Sequence, residues 1–154
     1  MRNVVTRVLG MPLAAAVLAV SAACDNPVAP EEHPEAGGVV ILDANSGAVL
    51  AMSVGANVAF TQPLTLAVSD VLEVEIKFLN ADAPNDVARA FFPDAGEGES
   101  LRVTIADPAI VEYDDHGDHG DLTAKAAGQT TVQFELMHGG HADFRSGLLT
   151  VIVE

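Results

Sequence analysis

Four of the five histidines stand in two His-x-x-His pairs, His116/His119 and His138/His141, each inside a short run of glycine and aspartate. The first run is Asp114-Asp115-His116-Gly117-Asp118-His119-Gly120-Asp121, and the second is His138-Gly139-Gly140-His141-Ala142-Asp143. Neutral imidazole and carboxylate are ligands for Zn²⁺, Cu²⁺, Ni²⁺ or Fe²⁺, and interleaved glycines let a short loop turn both side chains toward one ion. The candidate metal ligands are therefore His138, His141, His116, His119, Asp143 and Asp118, with Asp115 and Asp121 beside them. The competing reading is a solvated Asp/His/Gly turn, with His138 and His141 capping backbone groups. For His116/His119 the two readings weigh equally, because that run is close to low complexity. For His138/His141 the ligand reading is preferred.

Other chemistry is poorly represented. The chain has no Gly-x-Ser-x-Gly, no His-Glu-x-x-His and no phosphate-binding glycine loop. The acidic stretches Asn80–Asp86 and Asp94–Glu99 lack EF-hand spacing and read as solvated loops. No catalytic residue is assigned. A binding module is expected rather than an enzyme, and a metal-dependent enzyme would need an open coordination position and a pocket.

The elements that must position the histidines read as β-structure. Leu72, Val74, Ile76 and Phe78 alternate with Glu73, Glu75 and Lys77. Leu101, Val103 and Ile105 alternate with Arg102 and Thr104, and Val132, Phe134 and Leu136 with Gln133 and Glu135. Such period-2 runs, separated by Gly, Pro, Asp and Asn, mark strands with one apolar face. Shorter candidates are 39–43, 48–54, 64–68, 109–113, 122–126 and 148–153. No amphipathic helix is evident in this part of the chain. The expected fold is an all-β, antiparallel β-sandwich. Following strand direction, the connections 80–100, 114–121 and 138–147 share one end of the sandwich, which brings both histidine pairs to one rim. Strand parity puts His138 above the core side, making it the best single ligand candidate. Phe91-Phe92 is expected to tuck the longest connection onto the sandwich.

The C-terminal two-thirds resembles the bacterial immunoglobulin-like domains of group 2, found in invasin- and intimin-type surface proteins. The resemblance rests on Leu64-Thr65-Leu66-Ala67-Val68-Ser69, Asp107-Pro108-Ala109-Ile110-Val111, the run from Leu122 to Val132, and the closing Leu149-Thr150-Val151-Ile152-Val153. It implies an Ig-like sandwich over 39–154 and a spacer or adhesion role, with an envelope protein or glycan as partner.

The N-terminus reads as an export signal. Arg2 and Arg7 flank a basic start, a 13-residue apolar run covers Val8–Val20, and Ser21-Ala22-Ala23 precedes the only cysteine, Cys24. The run is shorter than the roughly 20 residues of a membrane-spanning helix. Ser21-Ala22-Ala23-Cys24 resembles the lipobox of bacterial lipoproteins, which implies a signal peptide over 1–23 and a lipid anchor on Cys24. Ordinary signal-peptidase cleavage after Ala23 is the alternative. Residues 24–38, with three prolines and four acids from Asp25 on, read as a flexible linker, and His33 within it as solvated. A lone cysteine excludes an intramolecular disulfide. The formal charge of −15 repels phosphate backbones, so nucleic acid is not an expected partner. The combined expectation is a membrane-anchored, extracytoplasmic Ig-like module whose His/Asp-rich loops bind Zn, Cu or Ni. The alternative is a structural or adhesive cell-envelope module that needs no metal.

Overall fold

The alternating sequence becomes ten strands in two facing sheets, in a computed structural model that describes residues 35–154. The first sheet holds β1 (Ala36–Asp43), β2 (Val49–Val54), β4 (Val71–Asn80), β6 (Val111–Asp115) and β7 (Gly120–Ala124), in the order β2-β1-β4-β7-β6. The second holds β3 (Leu64–Leu66), β5 (Glu99–Ile105), β8 (Gly128–His138) and β10 (Leu149–Val153), in the order β3-β10-β8-β5, with β9 (His141–Arg145) also on β8. The fold is an all-β sandwich, as the alternation predicts. One pairing departs from the antiparallel rule: β3 runs parallel to β10.

Inward residues of both sheets meet in one core. Val74, Ile76 and Phe78 of β4 face Val132, Phe134 and Leu136 of β8, all nearly inaccessible to water. Burying an aliphatic or aromatic side chain of this size contributes about 1.5–3 kcal/mol. Aromatic edges lock the layers, with Phe78 and Phe144 ring centroids 6.0 Å apart and Phe60 and Phe134 5.8 Å apart.

β1 is buried on both faces. Val39 and Ile41 point into the main core, whereas Val40 and Leu42 join Leu79 in a second cluster against Val87 and Ala90. Val87 and Ala90 belong to the connection 81–98, which therefore covers the outer face of β1 and the end of β4. Its return is pinned by a two-way backbone bridge between Phe78 and Phe91 (2.8 and 2.9 Å). Phe91 packs against the core, and Lys77 Nζ sits 4.6 Å above the Phe92 ring. Both phenylalanines thus fasten the connection to the sandwich.

Two boundaries differ from the sequence reading. β1 begins at Ala36, inside the segment assigned to the linker, because Gly37 and Gly38 let neighbouring backbone come close. A Cβ on Gly38 would stand 2.4 Å from the Ser53 carbonyl oxygen. His138–Gly147 is not a long loop either. Gly139 and Gly140 have φ of +55° and +91° and turn a two-residue hairpin, so β9 forms at once beside β8. Cys24, the signal segment 1–23, His33 and linker residues 24–34 lie outside the described residues.

β9 and β10 run along the same side of β8 and are separated by Ser146, Gly147 and Leu148. Ser146 closes the break in the ladder. Its backbone N–H donates to Phe134 O (2.9 Å), its Oγ accepts from Phe134 N (3.0 Å), and its hydroxyl donates to Gly147 O (2.7 Å). Below it Glu135, 3% exposed, is held 2.5 Å from Nε of both Arg102 and Arg145, which ties β5 and β9 to β8. The hydrogen bond from Arg102, and then that from Arg145, holds the Glu135 carboxyl below its usual range against the effect of burial.

Gly147 is the position least able to accept a side chain. A Cβ there would lie 2.1 Å from the Val58 carbonyl oxygen, and backbone cannot rotate away as a side chain can. Gly147→Ala is expected to destabilise the domain by about 2–4 kcal/mol. Chemical denaturation of the variant checks this, and a loss below about 0.5 kcal/mol would contradict the packing.

Candidate metal centre

The first histidine pair owes its setting to strand register. β7 lies between β4 and β6, and pairing sets Glu73 opposite Asp121 and Asp121 opposite Asp114. Directly opposed residues share a face. Val74, Leu122 and Val111 point into the core, so the neighbouring carboxylates point outward. Three acids therefore line up across three strands, an arrangement that like-charge repulsion opposes.

The β6–β7 hairpin places His116 and His119 beside that row. The turn is closed by His116 N–H to His119 O (2.9 Å) and by Gly117 N–H to Asp115 Oδ1 (2.9 Å). Gly117 supplies the left-handed φ of +100° that the turn needs. His116 Nε2 then lies 3.4 Å from Asp121 Oδ2, and His119 Nε2 lies 3.7 Å from Glu73 Oε1. The two rings are 5.2 Å apart. Asp118 Oδ1 contacts the other nitrogen of His119, Nδ1, at 2.7 Å.

These distances have a specific meaning. They are too long for strong N–H···O bonds. Two ligands each about 2.1 Å from a tetrahedral ion stand about 3.4 Å from one another. Both Nε2–carboxylate spacings approximate the edge of such a tetrahedron. Asp118 occupies the position from which a carboxylate orients a ligating imidazole from behind. All four outer groups are 37–42% exposed.

Electrostatics point the same way. The Asp118 hydrogen bond, aided by the charges of Asp118, Glu73 and Asp121, raises the His119 pKa above its ordinary 6.5 against partial desolvation. The same bond lowers Asp118 below its ordinary 3.8. The proton is held on His119 chiefly by its bond to Asp118.

The second pair is built differently. One carboxylate takes both rings: Asp143 Oδ2 is 3.2 Å from His138 Nδ1, and Asp143 Oδ1 is 2.7 Å from His141 Nε2. These are hydrogen-bond lengths, and they clamp the β8–β9 hairpin. His138, opposite the buried Glu99, stands above the core side as parity predicts. The two pairs lie in different sheets, each on its own carboxylates. Among the described residues, no group of three or more His, Cys, Asp or Glu side chains is placed to hold a metal ion.

Two members of the first cluster escape a reading of spacing alone. Glu73 and Asp114 gain their meaning only from cross-strand register. Parity does turn Glu73 outward, but nothing local links it to Asp121. A scan against protein-family models and a search of curated proteins both find no match to the chain, so the functional argument rests on these residues.

The His119–Asp118 contact has a defined pH window. Its contribution is present below the ordinary histidine value and is lost as pH rises through the elevated His119 pKa; it is also lost as pH falls through the depressed Asp118 pKa. Histidine NMR titration is expected to show His119 titrating above 6.5 and returning toward it in Asp118→Asn. An unchanged His119 midpoint in that variant would refute the contact.

Proposed function

We propose that the chain is a membrane-tethered, extracytoplasmic Ig-like binding module, and that the outer face of β4 and β7, with the β6–β7 hairpin, binds a divalent transition metal. The observation that carries the metal assignment is the pair of Nε2–carboxylate spacings at 3.4 and 3.7 Å, with Asp118 on His119 Nδ1. His116, His119, Asp121 and Glu73 would hold the ion, and Asp118 would orient His119. Two imidazoles and two carboxylates without a thiolate suit Zn²⁺, Ni²⁺ or Cu²⁺. Asp143 engages both His138 and His141, so that hairpin is the weaker candidate, and the emphasis moves from the second pair to the first.

Calorimetric titration of residues 35–154, with elemental analysis, tests this reading. At least one of the three ions is expected to bind tighter than about 100 μM, or roughly −5.5 kcal/mol. His116→Ala with His119→Ala should abolish binding, Asp118→Asn should weaken it about tenfold, and His138→Ala with His141→Ala should leave it unchanged. Failure of all three ions at that concentration returns the domain to the structural or adhesive reading, with protein or glycan as partner.

The tether rests on the sequence around Cys24. Metabolic labelling with a palmitate analogue in a bacterial host is expected to mark the full chain and not Cys24→Ser, which should be released from the membrane fraction. Equal membrane retention of the variant would remove the lipid anchor from the proposal.

A further inference from the structure

The outer face of the second sheet carries a charged row of its own. Arg102, Glu135 and Arg145 stand directly opposite one another across β5, β8 and β9. Leu101, Val103, Phe134, Leu136 and Phe144 beside them turn to the core, so the row faces outward. Glu135 lies at its base and gives one oxygen to each neighbour: Oε2 to Arg102 Nε and Oε1 to Arg145 Nε, both at 2.5 Å. The two arginine side chains remain 48% and 51% exposed.

Two properties of this row exceed what a structural ion pair needs. The first is charge. Lys77 and Lys125 each stand against one carboxylate, Glu75 and Glu112. Here two cations share one carboxylate, which leaves a full positive charge at a half-exposed position. The outward neighbours Thr104, Gln133 and Met137 carry no charge, and Asp143, two residues from Arg145, is taken up by His138 and His141. The second property is unused donors. A guanidinium has five N–H donors and a carboxylate oxygen has about two lone pairs, so each arginine keeps about three donors that its Glu135 oxygen cannot accept. Among the described residues, no other acceptor takes them.

We infer that Arg102 and Arg145 together bind one monoanionic oxyanion group, a carboxylate or a sulfate ester, above Glu135. Guanidinium recognises such groups through paired N–H bonds. The two Nε atoms sit on the two oxygens of a single carboxylate, which keeps them within about 7 Å of each other, close enough for one oxyanion to accept from both with bonds of about 2.8 Å. Glu135 fixes both arginines before the ligand arrives, so little side-chain freedom is left to lose on binding. The single excess charge matches a monoanion better than a doubly charged phosphate. The acidic row of the first sheet lies on the opposite outer face, beyond a sheet spacing of about 10 Å and a screening length of about 8 Å, so it opposes a small anion only weakly. A dense polyanion would still meet the formal charge of −15.

The test follows the arginine Nε–H signals of residues 35–154 by NMR, in chelator, so that the result is independent of the metal reading. The probes are galacturonate and its trimer, with galactose and chloride as controls at constant ionic strength. Galacturonate is expected to shift the Arg102 and Arg145 signals along a saturating curve with Kd below about 10 mM, and the controls are expected not to. A trimer that binds at least about tenfold tighter identifies the source of the anion as a glycan, and equal affinity per carboxylate identifies it as a small molecule. Arg145→Lys keeps the charge and the reach to Glu135 but loses the fork, so it should weaken galacturonate at least about tenfold. Chemical denaturation checks that this variant is folded, and if it is not, the wild-type signals decide alone. Three outcomes overturn the proposal: no saturation by about 10 mM, equal shifts with chloride, or unchanged affinity in folded Arg145→Lys.

Discussion

The register of β4 against its neighbours is the constraint on which the rest of the molecule depends. β4 pairs with β1 on one side and with β7 on the other, and its alternation assigns Val74, Ile76 and Phe78 to the core. A slip of one residue would carry that row to solvent and bring Glu73, Glu75 and Lys77 inside, so burial fixes the register strongly. The same register, once fixed, sets Glu73 against Asp121. The core and the acidic row are two faces of one alignment, and neither can be changed without the other.

The second consequence concerns how the face is used. The outer face of β1 is covered by the connection 81–98, which buries Val40, Leu42 and Leu79. Among the described residues nothing covers β7 and β6 in this way, and their outer residues are Thr123, Asp121, Glu112 and Asp114. One sheet thus carries both a buried outer half and a charged outer half. The covered half anchors β4, and the uncovered half displays what β4 and β7 place in register. The histidines enter from a tight hairpin, so their positions follow the strands rather than a loose loop.

Much of the fold is legible in the sequence because period-2 alternation is a local signal. The strands around Val74, Val103 and Phe134 could be drawn before any coordinates, and so could the tucking of Phe91. β9 could not, because its His141–Arg145 segment is short and joined to β8 by two glycines that read as loop. Alternation places β1 only from Val39, since Gly37 and Gly38 look like linker until the close approach of the Ser53 carbonyl is seen. The parallel pairing of β3 to β10 has no local signature. For the candidate site, His116, His119 and Asp118 stand out by type and spacing. Glu73 does not, because register is a property of two segments and alternation describes only one. The difference between the two histidine pairs is likewise tertiary: both have the same spacing, and only the carboxylate geometry separates a self-bonded clamp from a wider set of donors.

The acidic row also lacks the usual remedy. On the outer face of the second sheet, a buried carboxylate is closed by two guanidinium groups, so Glu135 is neutralised where it stands. On the first sheet the lysines are committed elsewhere: Lys125 lies 3.2 Å from Glu112, and Lys77 lies 2.6 Å from Glu75. Among the described residues, the basic groups beside Asp121 and Glu73 are His116 and His119. Below the elevated His119 pKa the protonated ring offsets Asp118 and Glu73, and that offset is lost as pH rises through it. An arginine in place of His119 would balance the charge at every pH, whereas the imidazole gives that balance up as its proton leaves, so this face carries a charge that pH can change and the Glu135 face does not.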